Sequence, residues 1–203
     1  MPNRVARKVA PLWTALRLML ILTVVLGVGY PLVVFGIGVV AFPGQAEGSY
    51  VRDADDQVAG SSLIGQRFDA ADGSPLPEYF QPRPSLAGDG YDPLASGGSN
   101  LGPESPELIA QIQERRAQVA AFNGVPEADV PVDAVTASGS GLDPDISVEY
   151  ARLQVPRVAS ARGLPVADVA ALVEESITGR DAGFIGEPRV NVVGLNLALD
   201  GLG

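Results

Sequence analysis

Residues 18–42, LMLILTVVLGVGYPLVVFGIGVVAF, form a 25-residue run without a charged side chain. No other feature of the chain restricts its fold as much. At ~1.5 Å of rise per residue, a helix of this length spans roughly 37 Å, more than the ~30 Å hydrocarbon core of a bilayer. A chain that cannot hydrogen-bond to water in lipid must satisfy its backbone internally, so the run is expected to be one membrane-spanning helix. The rival is a cleaved leader, since Gly44-Gln45-Ala46 resembles a small-residue cleavage site. Leader cores are only ~7–15 residues long, which favours an uncleaved anchor.

The flanks set an orientation. Arg4, Arg7, Lys8 and Arg17 precede the run with no acidic residue among them, so the N-terminal arm is expected in the cytoplasm. Taking those four charges from the net −10 leaves −14 on the remainder. The expected organisation is a cytoplasmic basic arm (1–17), a transmembrane helix (18–42) and an extracytoplasmic domain (43–203). This means a single pass through the membrane.

Composition excludes more than it assigns. There is no cysteine, so stability does not depend on disulfides. There is no histidine either, which removes the commonest general base and metal ligand and every Ser-His-Asp or Cys-His arrangement. No metal site is expected. A pI near 4.4 argues against nucleic acid, whose phosphates need basic partners. With 24 Gly and 17 Pro, much of the outer domain must be turns and loops.

Within the membrane run, Gly27 and Gly38 lie 11 residues apart, and Gly29 and Gly36 seven. At ~100° per residue each pair shares a face, and glycine lets neighbouring helices approach closely in lipid. Glycine is also simply common in such helices, and Pro31 must disturb the spacing. The glycines and Pro31 are candidate contacts with partner helices.

The outer segment reads as α+β, with about three helices and a short sheet. Ser49-Tyr50-Val51-Arg52 and residues 57–64 suggest a hairpin around residues 53–56. A long punctuated stretch follows, 65–103, in which Phe68, Tyr79, Phe80 and Tyr91 argue for order. Ser105-Pro106 opens a helix that ends at Asn123-Gly124, and Ser147 starts another that stops at Gly163, with Pro156 expected to kink it. A third helix is expected from Pro165 to Ile177, closed by Gly179. Residues 189–199 read as a strand on the apolar spacing of Val190, Val192 or Val193, Leu195, Leu197 and Leu199. Gly124-Val125-Pro126 recurs 39 residues later as Gly163-Leu164-Pro165. This echo is read as structural, a helix stop followed by proline.

Chemistry is sparse. No Walker A or dinucleotide fingerprint is present. The loop Ser138-Gly139-Ser140-Gly141-Leu142-Asp143 carries hydroxyls and glycines suited to an anion-holding nest, and equally suited to turns and a helix cap. Asp143 and Asp145 are candidate acid–base carboxylates, but Pro144 between them favours a turn. No catalytic residue is assigned.

The motifs together resemble the C subunit of the bacterial Kdp-type, ATP-driven potassium transporter. They are Tyr30-Pro31, the run 59–68 (AGSSLIGQRF), the run 79–85 (YFQPRPS), 96–100 (SGGSN), 131–144 (PVDAVTASGSGLDP), 154–159 (QVPRVA) and 190–196 (VNVVGLN). They cover nearly the whole chain in order. Asp145 departs from the histidine common in that family. The resemblance implies an accessory, single-span subunit partnered by a potassium-channel-like subunit and a P-type ATPase subunit. It implies support for assembly and a catalytic-chaperone role that raises the ATPase subunit's affinity for ATP. No firmly bound cofactor is expected, with ATP reached only through the complex. The candidate interface then comprises Gln66, Phe68, Phe80, Gln81, Arg83, Ser85, Ser99 and Asn100 besides the membrane glycines. Ser138, Gly139, Ser140, Gly141 and Asp143 form the candidate nucleotide or anion loop. A stand-alone membrane-anchored module for a solute or cation is the alternative, and an exported hydrolase using Asp143 and Asp145 a third.

Overall fold

A computed structural model describes residues 4–202. The chain divides into two compact units, Met1–Ser49 and Tyr50–Gly203.

The first unit is helical. Helix α1 (Arg4–Val24) runs into a π-helical turn at Val25–Gly29 and continues as α2 (Tyr30–Ala41), with a short turn of helix, α3, at Pro43–Ala46. The apolar span Pro11–Ala41 covers 31 residues at a mean hydropathy of 2.5, long and apolar enough to cross a membrane. Pro31 explains the π turn. A proline inside a helix donates no hydrogen bond and its ring crowds the carbonyl four residues back. Widening the preceding turn moves that carbonyl aside, and Tyr30 N–H reaches back five residues to the Val25 carbonyl. Gly27 and Gly29 lie in this turn and Gly36 and Gly38 in α2. The Gly27–Gly38 pair straddles the widened segment, whereas Gly29 and Gly36 are joined by nearly regular helix.

The second unit is α+β. Strands β1 (Tyr50–Arg52) and β2 (Val58–Ser61) pair antiparallel as a hairpin, as the sequence suggests. A three-stranded antiparallel sheet has the order β3 (Asp145–Ser147), β5 (Arg189–Asn191), β4 (Ile177–Thr178). Its two longer strands each turn directly into a helix. Ser147 ends β3 and caps α5 (Val148–Arg162) by accepting from Tyr150 N–H, and Asn191 ends β5 and caps α7 (Val192–Asp200) by accepting from Gly194 N–H. The elbows lie side by side, with Ser147 opposite Arg189 and Asp145 opposite Asn191. Asp133 fixes the first elbow by accepting from both the Ser147 amide and its hydroxyl.

Helices α4 (Pro106–Asn123) and α5 end as the sequence echo predicts. Gly124 and Gly163 take left-handed φ of 67° and 66°. Val125 and Leu164 each donate to the carbonyl five residues back, and Pro126 and Pro165 restart the chain. Two expectations fail here. Helix α6 (Val166–Glu175) stops at Ser176, before Gly179, because residues 177–178 are drawn into the sheet as β4. Residues 189–199 are not one strand: only Arg189–Asn191 is, and Val192, Leu195, Asn196 and Leu199 follow the i, i+3, i+4, i+7 spacing of a buried helix face. The core is built mainly from α5, α6, α7 and β5, with small side chains such as Ala151, Val155, Val158, Val169, Val173, Val190 and Leu195. Pro156 sits on the exposed side of α5, where its missing N–H opens no gap in this core.

Candidate functional site: a clasped loop cluster

The stretch between β2 and α4 has no regular element, yet it is firmly held. Phe80 is fully buried, and the buried Asn196 side chain of α7 serves it as a strand would. Asn196 Oδ1 accepts from Phe80 N–H and its Nδ2 donates to the Phe80 carbonyl, both at 2.9 Å. Gln154 of α5, also fully buried, repeats the pattern at Gln81 through bonds of 2.7 and 3.1 Å. Gln81 Nε2 donates in turn to the Phe68 and Leu76 carbonyls. Arg157 completes the mount. It donates to the Pro77 and Tyr79 carbonyls, to Asn123 Oδ1 and to Gln154 Oε1, and stacks over Phe122 at 4.4 Å. Burial pushes its guanidinium down to about 10, against the opposing pull of Tyr150 and Glu78.

Beyond this mount the strap clasps the loop 138–143. The Ser85 hydroxyl donates to the Gly141 carbonyl at 2.6 Å and accepts from the amides of Ala87 and Tyr91. The Ser96 hydroxyl and Gly97 N–H both donate to the Ser140 carbonyl, and Gly65 N–H to the Leu142 carbonyl. Arg83 Nη1 pairs with Asp143 at 2.9 Å. Tyr91 stands at a left-handed φ of 59°, with its hydroxyl donating to the Arg83 carbonyl. Burial, then the nearby Asp143 charge, pushes its phenol well above the usual range. Gly141 also has a left-handed φ, and a Cβ there would lie 2.8 Å from Ala87 Cβ and from the Gly97 carbonyl oxygen. Only glycine admits so close an approach.

The candidate residues therefore fall into different roles. The side chains of Phe80 and Gln81 have almost no surface, 0% and 9% exposed, so their assignment to a partner interface is corrected: they hold the strap from below. Ser99, Asn100, Gly139 and Ser140 are exposed, and Gln66, Phe68, Arg83, Ser85 and Asp143 half-buried. Gln66 Nε2 donates to the Ala59 carbonyl, and Phe68 stacks on Tyr79. In the loop, the amides of Gly141 and Leu142 already donate to the hydroxyls of Ser138 and Ser140, so an anion would compete with these bonds. Asp143 and Asp145 each pair with an arginine, Arg83 and Arg189. Burial and the Asp143 charge hold the Asp145 carboxyl above the usual range in spite of Arg189. Among the described residues no group of three or more acidic side chains could hold a metal ion.

An open cleft of about 370 Å³ borders the clasp, lined by Arg67, Arg83, Arg115, Tyr91, Asp69 and Asp89. Its charges are of both signs, which suits contact with a mixed protein surface. Sequence reasoning missed Gln154, Asn196 and Arg157. The one local signal was a polar amide inside each apolar helix face.

The family model described as "KdpC: K+-transporting ATPase, c chain" matches residues 12–201. The chain belongs to the KdpC family. It is 57% identical to the potassium-transporting ATPase KdpC subunit of Kineococcus radiotolerans over 92% of this chain and 91% of that one. Identity is 54% to the subunit of the same name from Beijerinckia indica, over 90% and 89% of the two chains. It is 51% to that from Mycobacterium tuberculosis, over 93% and 96%. As a KdpC-family chain it is an accessory subunit of a potassium-transporting ATPase.

Proposed function

We propose that this chain anchors in the bacterial cytoplasmic membrane by one helix, with its N-terminus cytoplasmic and residues 43–203 outside. There it supports assembly of a high-affinity, ATP-driven potassium importer from a channel-like potassium subunit and a P-type ATPase subunit. The observation that carries the reading is the family match over residues 12–201, joined to one apolar span of 31 residues among the described residues. The clasp supports a docking role: its polar groups are committed to holding loops, leaving Ser99, Asn100, Gln66, Phe68 and the Arg83 cleft as rigid contact points. Gly27, Gly29, Pro31, Gly36 and Gly38 serve the membrane contact.

In this reading the chain is non-catalytic and binds no cofactor of its own. It raises the ATPase subunit's affinity for ATP by binding one of that subunit's states more tightly than the other. The 138–143 loop acts through packing, since two of its amides are already satisfied. The test is co-purification of the tagged full-length chain from potassium-starved cells in mild detergent, followed by potassium-stimulated ATPase assay with and without the chain. Recovery of both partners, with a lower KM for ATP when the chain is present, is the expected result. Elution alone, or an unchanged KM, would count against it.

A further inference from the structure

Residues 179–188, between β4 and β5, form an excursion from the sheet in which every residue is exposed. Exposed loops of this kind are commonly loose, yet this one is built. Asp181 and Ile185 exchange both backbone hydrogen bonds at 2.9 Å, and Arg180 pairs with Glu187 at 2.6 Å. Arg189 at its base contacts Asp145 and Asp181. Ala182, Gly183 and Gly186 all adopt left-handed φ. The product is a shaped tip that presents Phe184, 74% exposed, and Ile185, 54% exposed.

Ordering such a segment costs conformational entropy, and the fold recovers little apolar burial from it. Large apolar side chains held out on a preorganised tip match the anchors that dominate protein interfaces, where an aromatic residue fills a desolvated pocket inside a polar rim. The charges around the tip favour a protein over a lipid surface. Arg180 and Arg189 are both engaged by carboxylates, so the tip has no free cation for anionic headgroups, and the chain as a whole is net −10.

We infer that the Phe184–Ile185 tip is a docking anchor that inserts into an apolar pocket on a neighbouring subunit of the transport complex. The inference rests on the proposed function and adds a named contact outside the clasp. Because both side chains are exposed and neither belongs to the core, their substitution is expected to leave the fold intact. The test compares the full-length chain with F184D and with the F184S/I185S double variant, each co-expressed with its partner subunits and purified through a tag on this chain. Both variants are expected to melt within a degree or two of the parent while recovering at least tenfold less partner subunit. A photo-crosslinking residue at position 184 of the assembled complex is expected to give an adduct to a partner subunit, and one at the exposed Val166 none. If the parent recovers partners and the variants recover them equally, the anchor is wrong and the accessory-subunit reading stands. An adduct to lipid in place of protein would likewise overturn the anchor. If the parent itself elutes alone, both fall together.

Discussion

Gln154 and Asn196 show how single residues settle the path of a loop. Each sits on a buried helix face where an aliphatic side chain would pack as well, and each spends both ends of its amide on one residue of the strap. Replacing Gln154 or Asn196 by Leu leaves a buried N–H and a buried C=O without partners, at about 2–4 kcal/mol. Chemical denaturation of residues 50–203 should report a loss of that size, whereas Gln118→Leu on the surface of α4 should change little. Asp145 offers a pH test. Its folded carboxyl holds its proton more tightly than it does in the unfolded chain, chiefly through burial. Folding therefore takes up a proton just above the ordinary carboxylate range, and stability falls as pH rises through that window. Asp145→Asn removes this dependence. Its melting temperature relative to the parent should be highest near pH 7 and should decline as the pH is lowered through the window. A difference that is flat with pH would show that the Arg189 pair balances burial, and a slope of opposite sign that it outweighs it.

The elements are punctuated by glycine and proline, and two glycines test different physics. At Gly163 a Cβ would meet nothing within 4 Å, so Gly163→Ala carries only the left-handed backbone cost of about 1–2 kcal/mol. Gly141→Ala adds contacts at 2.8 Å with Ala87 and Gly97, so the clasp must open, at about 3 kcal/mol or more. Melting curves should rank them in that order. The reverse ranking would mean that the clasp is soft. These stops were legible in the sequence because Gly followed by an apolar residue and Pro is a local signal. The end of α6 was not, because β5 draws residues 177–178 into the sheet ahead of the expected glycine.

For the molecule as a whole, the core of the second unit comes entirely from residues beyond Ser49. Residues 50–203 expressed alone should melt in one cooperative transition, read by circular dichroism and intrinsic fluorescence. A broad, non-cooperative profile would mean that the first unit or a partner completes the fold. The same fragment should recover far less partner subunit than the full chain, because it lacks the helix that the proposed assembly uses.

Hydropathy fixed the apolar helix, and local capping chemistry fixed the C-terminal end of α4 and the start of α5, because these depend on neighbours within a few residues. The family, too, was legible in the motif order alone. Tertiary structure decided the rest. Residues 192–199 fit both a strand and a helix by spacing, and packing of Val192, Leu195, Asn196 and Leu199 into the core selected the helix. Phe80 and Gln81 looked like contact residues until Asn196 and Gln154, 116 and 73 positions away, took them inside. No local period encodes a hydrogen bond across such distances, so the division between surface and support within one motif emerges only when the chain has folded.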